Sequence, residues 1–387
     1  MNTRKTTLVG TMLAATALLT SACGGGLLAG DSEESTDGPI VLGMVIPTSG
    51  SSSAIGPYMQ NGAQLAINEI NADGGVLGRD LELQVEDEAC DPQSAVAAAN
   101  KLVSDGITVS VGGYCSGATL PTLPIFEDAG IPMIIPAANS DELVAQKLPN
   151  VFLINGTGSQ QADAAQAFIE AQGATAVALV HDNTSYSVNI AEATRDRLES
   201  SSAAQVAAFE AVTPGESDYS ANVNAILSAQ PDFVYWTGYY QEGGLLVRQL
   251  KQAGYTGPIM VADGSVDASF VEIAGADLAE GVYATMTQTP DTIEGAESWI
   301  QDYTDEFGEA PGPYSTQAYD AVRVAAQAIE DAGSTEGEEI ITALEEIDGL
   351  QLFSGPLKFT PEHTLSSGGF VILQVQDGTF ALAPSAS

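Results

Sequence analysis

The chain has 387 residues, of which 51 are acidic and 11 basic, giving a formal charge of −40. That balance excludes nucleic-acid binding through a basic face, which needs clustered Lys and Arg on phosphates, and it argues against docking on an anionic membrane surface. Two His and three Cys argue against a His-rich metal centre and a dense disulfide scaffold, while 44% apolar residues are enough for large cores, and the length suggests two domains at about 150 residues each.

Arg4 and Lys5 precede an apolar run over 8–19. That run is too short for a membrane span of ~20 residues and has the form of an export signal. Leu19-Thr20-Ser21-Ala22-Cys23 resembles a bacterial lipobox, although Thr20 stands where Leu is usual. The resemblance implies a signal peptide over 1–22 and a lipidated Cys23; an ordinary secretory signal cut nearby is the plainer alternative. Residues 23–38 are rich in Gly, Ser and acids and cannot build a core. They read as a flexible tether reaching roughly 20 Å.

From there strand and helix patterns alternate. The apolar run 40–46 reads as a buried parallel strand. Met59, Ala63, Ala66 and Ile70 share a helix face that Asp73-Gly74-Gly75 ends. Leu81, Leu83 and Val85 alternate as a strand, 94–105 is an Ala-rich helix, and Ile107, Val109 and Val111 alternate again. A helix is expected over 120–129 and a strand over 131–135. The pattern then restarts. Helices are expected over 160–172, around Ile190, Thr194 and Leu198, and over 219–229 and 243–253. Strands are expected over 175–180, 206–212, 232–236 and 258–262. Beyond Gly281 the pattern loosens, with helices over 316–332 and 338–347 and a late strand at Val371, Leu373 and Val375. Two series of strand–helix–strand units predict two parallel-sheet lobes covered on both faces, with a first crossing near 155–159.

In open α/β sheets ligands gather beyond the carboxyl ends of the strands. Gly112-Gly113-Tyr114-Cys115-Ser116-Gly117-Ala118-Thr119 follows the third strand, where free N–H groups and a helix start suit an anion. Simple capping by Ser116 or Thr119 is the alternative. Pro136-Ala137-Ala138-Asn139-Ser140 follows the fourth strand with the same two readings. In the second half, loops carrying His181-Asp182, Tyr186, Gly238-Tyr239-Tyr240 and Asp263-Gly264 end strands. Catalytic templates fit poorly. No nucleophile elbow surrounds Ser116, His181 and His363 have no triad spacing, and Gly156-Thr157-Gly158-Ser159-Gln160-Gln161 lacks the third glycine of a dinucleotide loop. No metal site or cofactor is expected.

Several of these stretches together resemble the branched-chain amino-acid-binding family, the type I periplasmic binding proteins of ABC importers. The likeness covers roughly 39–380 and rests on Glu88-Ala89-Cys90-Asp91-Pro92, Tyr114-Cys115-Ser116, Glu127-Asp128-Ala129-Gly130-Ile131-Pro132, Pro136-Ala137-Ala138, Val180-His181-Asp182, Asp232-Phe233-Val234-Tyr235 and Gly238-Tyr239. The resemblance implies an α/β fold of two flavodoxin-like, doubly wound parallel-sheet lobes joined by a three-crossover hinge. The expected lobes are 39–156 with 282–355, and 157–281 with 356–382. It implies that Ser116, Thr119, Ala137, Ala138 and Asn139 hold an α-carboxylate and α-amino group. Tyr186 and Tyr239 would reach in from the second lobe, Asp263 would face the ammonium, and Ile55 and Tyr314 would line a side-chain pocket. Asn139 stands where Thr or Ser is usual, and Asp263 is shorter than the Glu of some members. Cys90 and Cys115 are expected to form a disulfide, as the thiols left in an oxidising compartment after Cys23 is lipidated.

The implied function is an extracytoplasmic solute-binding lipoprotein, not an enzyme. It would be a monomer anchored to the bacterial membrane only through its lipid. It would close on a small apolar amino acid and deliver it to importer permease subunits. The alternatives are an exported hydrolase of small amide or acidic substrates, or an amide-, urea-binding or sensory module of the same fold.

Overall fold

The computed structural model describes residues 38–366 and 369–384. The expected signal peptide, Cys23 and all of the tether before Gly38 lie outside the described residues. Among the described residues no helix is long and apolar enough to cross a membrane.

The first sheet is built from β1 (Ile40–Ile46), β2 (Leu81–Asp87), β3 (Val109–Ser110), β4 (Met133–Ile135) and β5 (Val151–Leu153), all parallel, in the order β2-β1-β3-β4-β5. The second contains β6 (Ala176–His181), β7 (Gln205–Ala211), β8 (Phe233–Trp236), β9 (Ile259–Val261) and β10 (Tyr283–Met286). A small hairpin, β11 (Asp348–Leu352) with β12 (Gly355–Lys358), precedes the last two strands, β13 (Val371–Gln376) and β14 (Thr379–Leu382). These two join the second sheet antiparallel, in the order β14-β13-β10-β9-β8-β6-β7.

The continuous apolar runs explain the central strands. Ile40, Leu42, Met44 and Ile46 on β1 and Phe233 to Trp236 on β8 are fully buried, as strands covered on both faces must be. Helices Ile55–Ala72 and Ser315–Ala332 pack tightly together in the first lobe. A Cβ on Gly62 would stand 2.1 Å from the Ser315 carbonyl oxygen, so only glycine permits this approach.

The lobe divisions differ from the expected ones at two places. Tyr283–Met286 pairs with β9 and β13 and so completes the second sheet; the second crossing follows Met286 instead of falling at 281/282. The segment after β12 stays with the first lobe. The Leu153 N–H donates to the His363 carbonyl at 2.9 Å, the His363 ring stacks on Phe152 at 4.2 Å, and Phe359 pairs with Leu365. The third crossing therefore lies between Leu365 and Val371, not at 355/356. The first leaves β5 and enters helix Gly158–Ala171, near the predicted place. Strands β5, β10, β11, β12 and β14 and helix Glu297–Phe307 are absent from the sequence-based expectation.

Candidate functional site

The strand ends of the two sheets face each other, and one carboxylate sits where they meet. Asp263 begins a single 3-10 turn after β9 and is 2% exposed. Its Oδ1 accepts from Tyr186 Oη at 2.5 Å and Gln161 Nε2 at 2.9 Å. Its Oδ2 accepts from Tyr314 Oη at 2.7 Å and Asn139 Nδ2 at 3.3 Å. Tyr314 and Asn139 come from the first lobe, Tyr186 and Gln161 from the second. Four donors match the acceptor capacity of a carboxylate. Burial raises the Asp263 carboxyl above its usual range, and the tyrosine and glutamine donors oppose that rise.

Local chain structure aims each donor. Thr157 and Gln160 form a reciprocal capping box at the start of helix Gly158–Ala171. The next residue, Gln161, is fully buried and bridges Asp263 to Thr285 Oγ1 at 2.9 Å. Its Oε1 accepts from Asn139 Nδ2 at 3.0 Å. Tyr314 precedes helix Ser315–Ala332 with φ +63°, a left-handed conformation that is uncommon for a bulky residue and that the hydrogen bond to Asp263 helps hold. Tyr239, whose carbonyl accepts from the Trp236 indole N–H, packs its ring 4.9 Å from Tyr186 and 5.9 Å from Tyr114. Tyr114 meets Tyr314 edge-on at 5.5 Å. Burial holds all four phenols well above their usual range, so they act as neutral donors or acceptors.

Ser116 begins the short turn after β3, and its Oγ accepts from the N–H groups of Asn139 and Ser140 at 3.3 and 3.2 Å. Its proton is left for another acceptor. The Ala138 N–H donates to the Gly113 carbonyl, and the Ala137 carbonyl accepts from Asn155 Nδ2. The anion-binding amides expected over Ala137–Asn139 are therefore largely engaged in joining the two loops. Thr119 donates its hydroxyl back to the Cys115 carbonyl at 3.1 Å and makes no hydrogen bond to the Asp263 cluster. Ile55 is buried at the start of its helix within the core that also includes Tyr114 and Tyr314. The structure thus gathers Asn139, Tyr186, Tyr239, Asp263 and Tyr314 tightly, sets Ser116 beside them, and places Ala137, Ala138, Thr119 and Ile55 in supporting positions.

Two buried polar atoms in this cluster lack any partner among the described residues: Tyr114 Oη and Asn139 Oδ1. One can donate and the other can only accept. Buried polar atoms are nearly always paired, so each needs an explanation.

Around the cluster the lobes are fastened together. Asp141 and Asn189 exchange hydrogen bonds at 3.3 and 3.0 Å, Ser159 Oγ donates to Asp141 at 2.7 Å, and Ser185 Oγ donates to Glu142 at 2.8 Å. Cys90 and Cys115 form a disulfide with Cα atoms 5.3 Å apart, which fixes the Ser116 turn from behind. Glu88 accepts from the Cys115 N–H at 2.9 Å; complete burial pushes its carboxyl up to about 8. Sequence reasoning missed Gln161 and Glu88 as site supports. The capping box is the signal for Gln161, because it fixes the phase of the helix and turns the following residue inward.

A family model described as periplasmic binding protein matches residues 39–379. The leucine-, isoleucine-, valine-, threonine-, and alanine-binding protein of Pseudomonas aeruginosa is 33% identical over 336 residues, 87% of this chain and 89% of that one. The leucine-specific-binding protein of Salmonella typhimurium is 33% identical over 346 residues, 89% of this chain and 93% of that one. Among solved structures, a leucine binding protein from Thermotoga maritima superposes with a TM-score of 0.83 at 26% identity, covering 89% of this chain and 98% of the other. A branched-chain amino acid transporter substrate binding protein from Streptococcus pneumoniae, in complex with isoleucine, gives 0.81 at 27% identity, covering 88% and 97%.

Proposed function

This chain belongs to the periplasmic binding protein family, and from that premise we propose that it is the extracytoplasmic solute-binding component of an ABC importer, taking a zwitterionic α-amino acid with an apolar, branched side chain. The two unpartnered atoms, Tyr114 Oη and Asn139 Oδ1, carry the reading. A ligand with a carboxylate and an ammonium supplies the acceptor and the donor they lack. Tyr114 Oη and the free proton of Ser116 serve the carboxylate. Asn139 Oδ1 and Asp263 serve the ammonium, which takes the place of the long Asn139–Asp263 bond. The charges then neutralise in a dry site where each hydrogen bond counts for more. Tyr114, Tyr239, Tyr314 and Ile55 supply the apolar wall.

In this reading the loops from the two lobes close on the ligand, and the permease recognises the closed form. The relatives are named as binding proteins, so the hydrolase alternative is set aside. Lipidation of Cys23 would tether the protein to the membrane: Cys23→Ala should release it or leave it unprocessed, while a chain starting at Gly38 should bind normally. The deciding experiment is mass spectrometry of the ligand released on denaturing the purified protein, followed by calorimetry with L-leucine, L-isoleucine and L-valine. A released compound without an amino group would overturn the assignment.

A further inference from the structure

A cavity of about 340 Å³ opens between the lobes alongside the turn that carries Ser116. Cys115 and Gly117 wall it on one side, and Tyr239, Asp182 and Glu242 on the other. Its volume lies within the range of small-molecule sites. The charged side chains on its surface are the two carboxylates, and each is almost covered: Asp182 is 2% exposed and Glu242 5%. No ion pair among the described residues includes either one.

Their local duties leave capacity unused. Asp182 Oδ1 accepts from the Thr184 N–H at 2.9 Å and the Thr184 hydroxyl at 2.7 Å, whereas its Oδ2 accepts no hydrogen bond among the described residues. With the rest of the residue covered, what stays open of Asp182 faces the cavity. Glu242 Oε1 accepts from the Gly215 N–H at 3.0 Å. Burial raises the Glu242 carboxyl, and the nearby charge of Asp182 adds to the rise. An amide would satisfy Gly215 and Thr184 equally well. Two buried carboxylates that repel each other across one cavity are costly unless a cation joins them.

We infer that this cavity is a subsite for a second, cationic group of the ligand, an ammonium carried at the far end of an amino-acid side chain. The inference rests on the reading of the Asp263 cluster as the site for the α-amino-acid head. Cys115 and Gly117 flank Ser116, so head and tail share one turn, and a side chain running past Tyr239 enters the cavity. The Tyr239 ring face covers its methylenes, Asp182 Oδ2 and Glu242 receive its ammonium, and the hydroxyls of Ser52 and Thr184 border it. The protein would then accept both short apolar side chains and long ones that end in a positive charge.

The test is calorimetry on the ligand-stripped protein with L-leucine, L-norleucine, L-ornithine and L-lysine, repeated on Glu242→Gln. L-Norleucine matches the methylenes of L-lysine without the charge. The expected result is that L-ornithine or L-lysine binds at least tenfold tighter than L-norleucine. Glu242→Gln should remove that advantage, weakening L-ornithine or L-lysine at least tenfold, while L-leucine binding stays within about threefold. Thermal melts confirm that the variant folds; should it not, Asp182→Asn takes its place with the same expected result. L-Norleucine binding as tightly as L-lysine, with L-leucine still bound, overturns the subsite and leaves the amino-acid reading intact. Failure of all four ligands overturns that reading and the subsite with it.

Discussion

Asp263→Asn is the sharpest perturbation of the site. The carboxylate accepts four hydrogen bonds, two on each oxygen. An asparagine oxygen placed at Oδ1 keeps Tyr186 and Gln161. Its amide then confronts two donors, Tyr314 at 2.7 Å and Asn139 at 3.3 Å. The Tyr314 hydroxyl can turn to accept; the Asn139 amide cannot without losing Gln161. The larger loss is the negative charge that the proposed binding mode sets opposite the ligand ammonium. Removing one partner of a buried charged pair costs about 2–5 kcal/mol, partly offset because Asp263 itself no longer needs desolvating. The expected net loss is about 2–4 kcal/mol, or about 30- to 700-fold in Kd for L-leucine. Titration calorimetry measures it, with thermal melts to show that the fold survives. An unchanged Kd, or tight binding of 4-methylpentanoate, which lacks the amino group, would refute the role given to Asp263. Affinity in the unaltered protein should also fall on acidification. Burial raises the Asp263 carboxyl, so as pH drops towards that raised value the group protonates and loses its attraction for the ammonium.

Glu88 supplies a stability prediction of defined sign. Its carboxyl rises from 4.5 in the unfolded chain to about 8 when folded, so the folded state holds a proton that the unfolded state releases. The stabilisation is complete below 4.5 and is lost as pH rises through about 8. The melting temperature of Glu88→Gln should therefore gain on that of the unaltered protein from about pH 5 to about pH 9; parallel melting curves would contradict this. Free-thiol labelling of the oxidised, denatured protein should find neither Cys90 nor Cys115, and reduction should destabilise the fold by roughly 3.5 kcal/mol in the chain-entropy picture. Small-angle scattering should show compaction on adding ligand, and Asn189→Ala, which breaks the fastening to Asp141, should weaken binding by about 1 kcal/mol. An unchanged radius of gyration at saturation would count against closure.

The central architecture was readable because buried parallel strands leave unbroken apolar runs and Ala-rich helices keep one face. The same logic failed where partners lie far apart in sequence. Tyr283–Met286 is too short to announce itself, and its neighbour β13 arrives much later in the chain. Within the site, Tyr186 and Asp263 stand in loops that end strands, a position the pattern shows, whereas Tyr314 is singled out only through the family resemblance. The true use of the loop amides follows from neither. Whether the Ala138 N–H meets a ligand or the Gly113 carbonyl depends on how two loops fit together, and no local pattern records that. Gln161 looks like a solvated helix residue until the capping box fixes the phase of its helix.

The triple crossing also sets the order in which the protein can be finished. Helix Ser315–Ala332 closes the first lobe against helix Ile55–Ala72, so that lobe waits for a segment made long after its sheet. The second lobe waits longer still, since β10 keeps an open edge until Val371–Gln376 arrives to cover it. Neither lobe can complete itself until its late segment has been made, and pairings this distant fold slowly. A chain cut short before Val371 would present β10 as a bare apolar strand edge, the kind of surface that recruits other chains. For this protein, the second lobe folds only once Val371–Gln376 has been made, and chains cut short before it are expected to aggregate rather than persist as a soluble half.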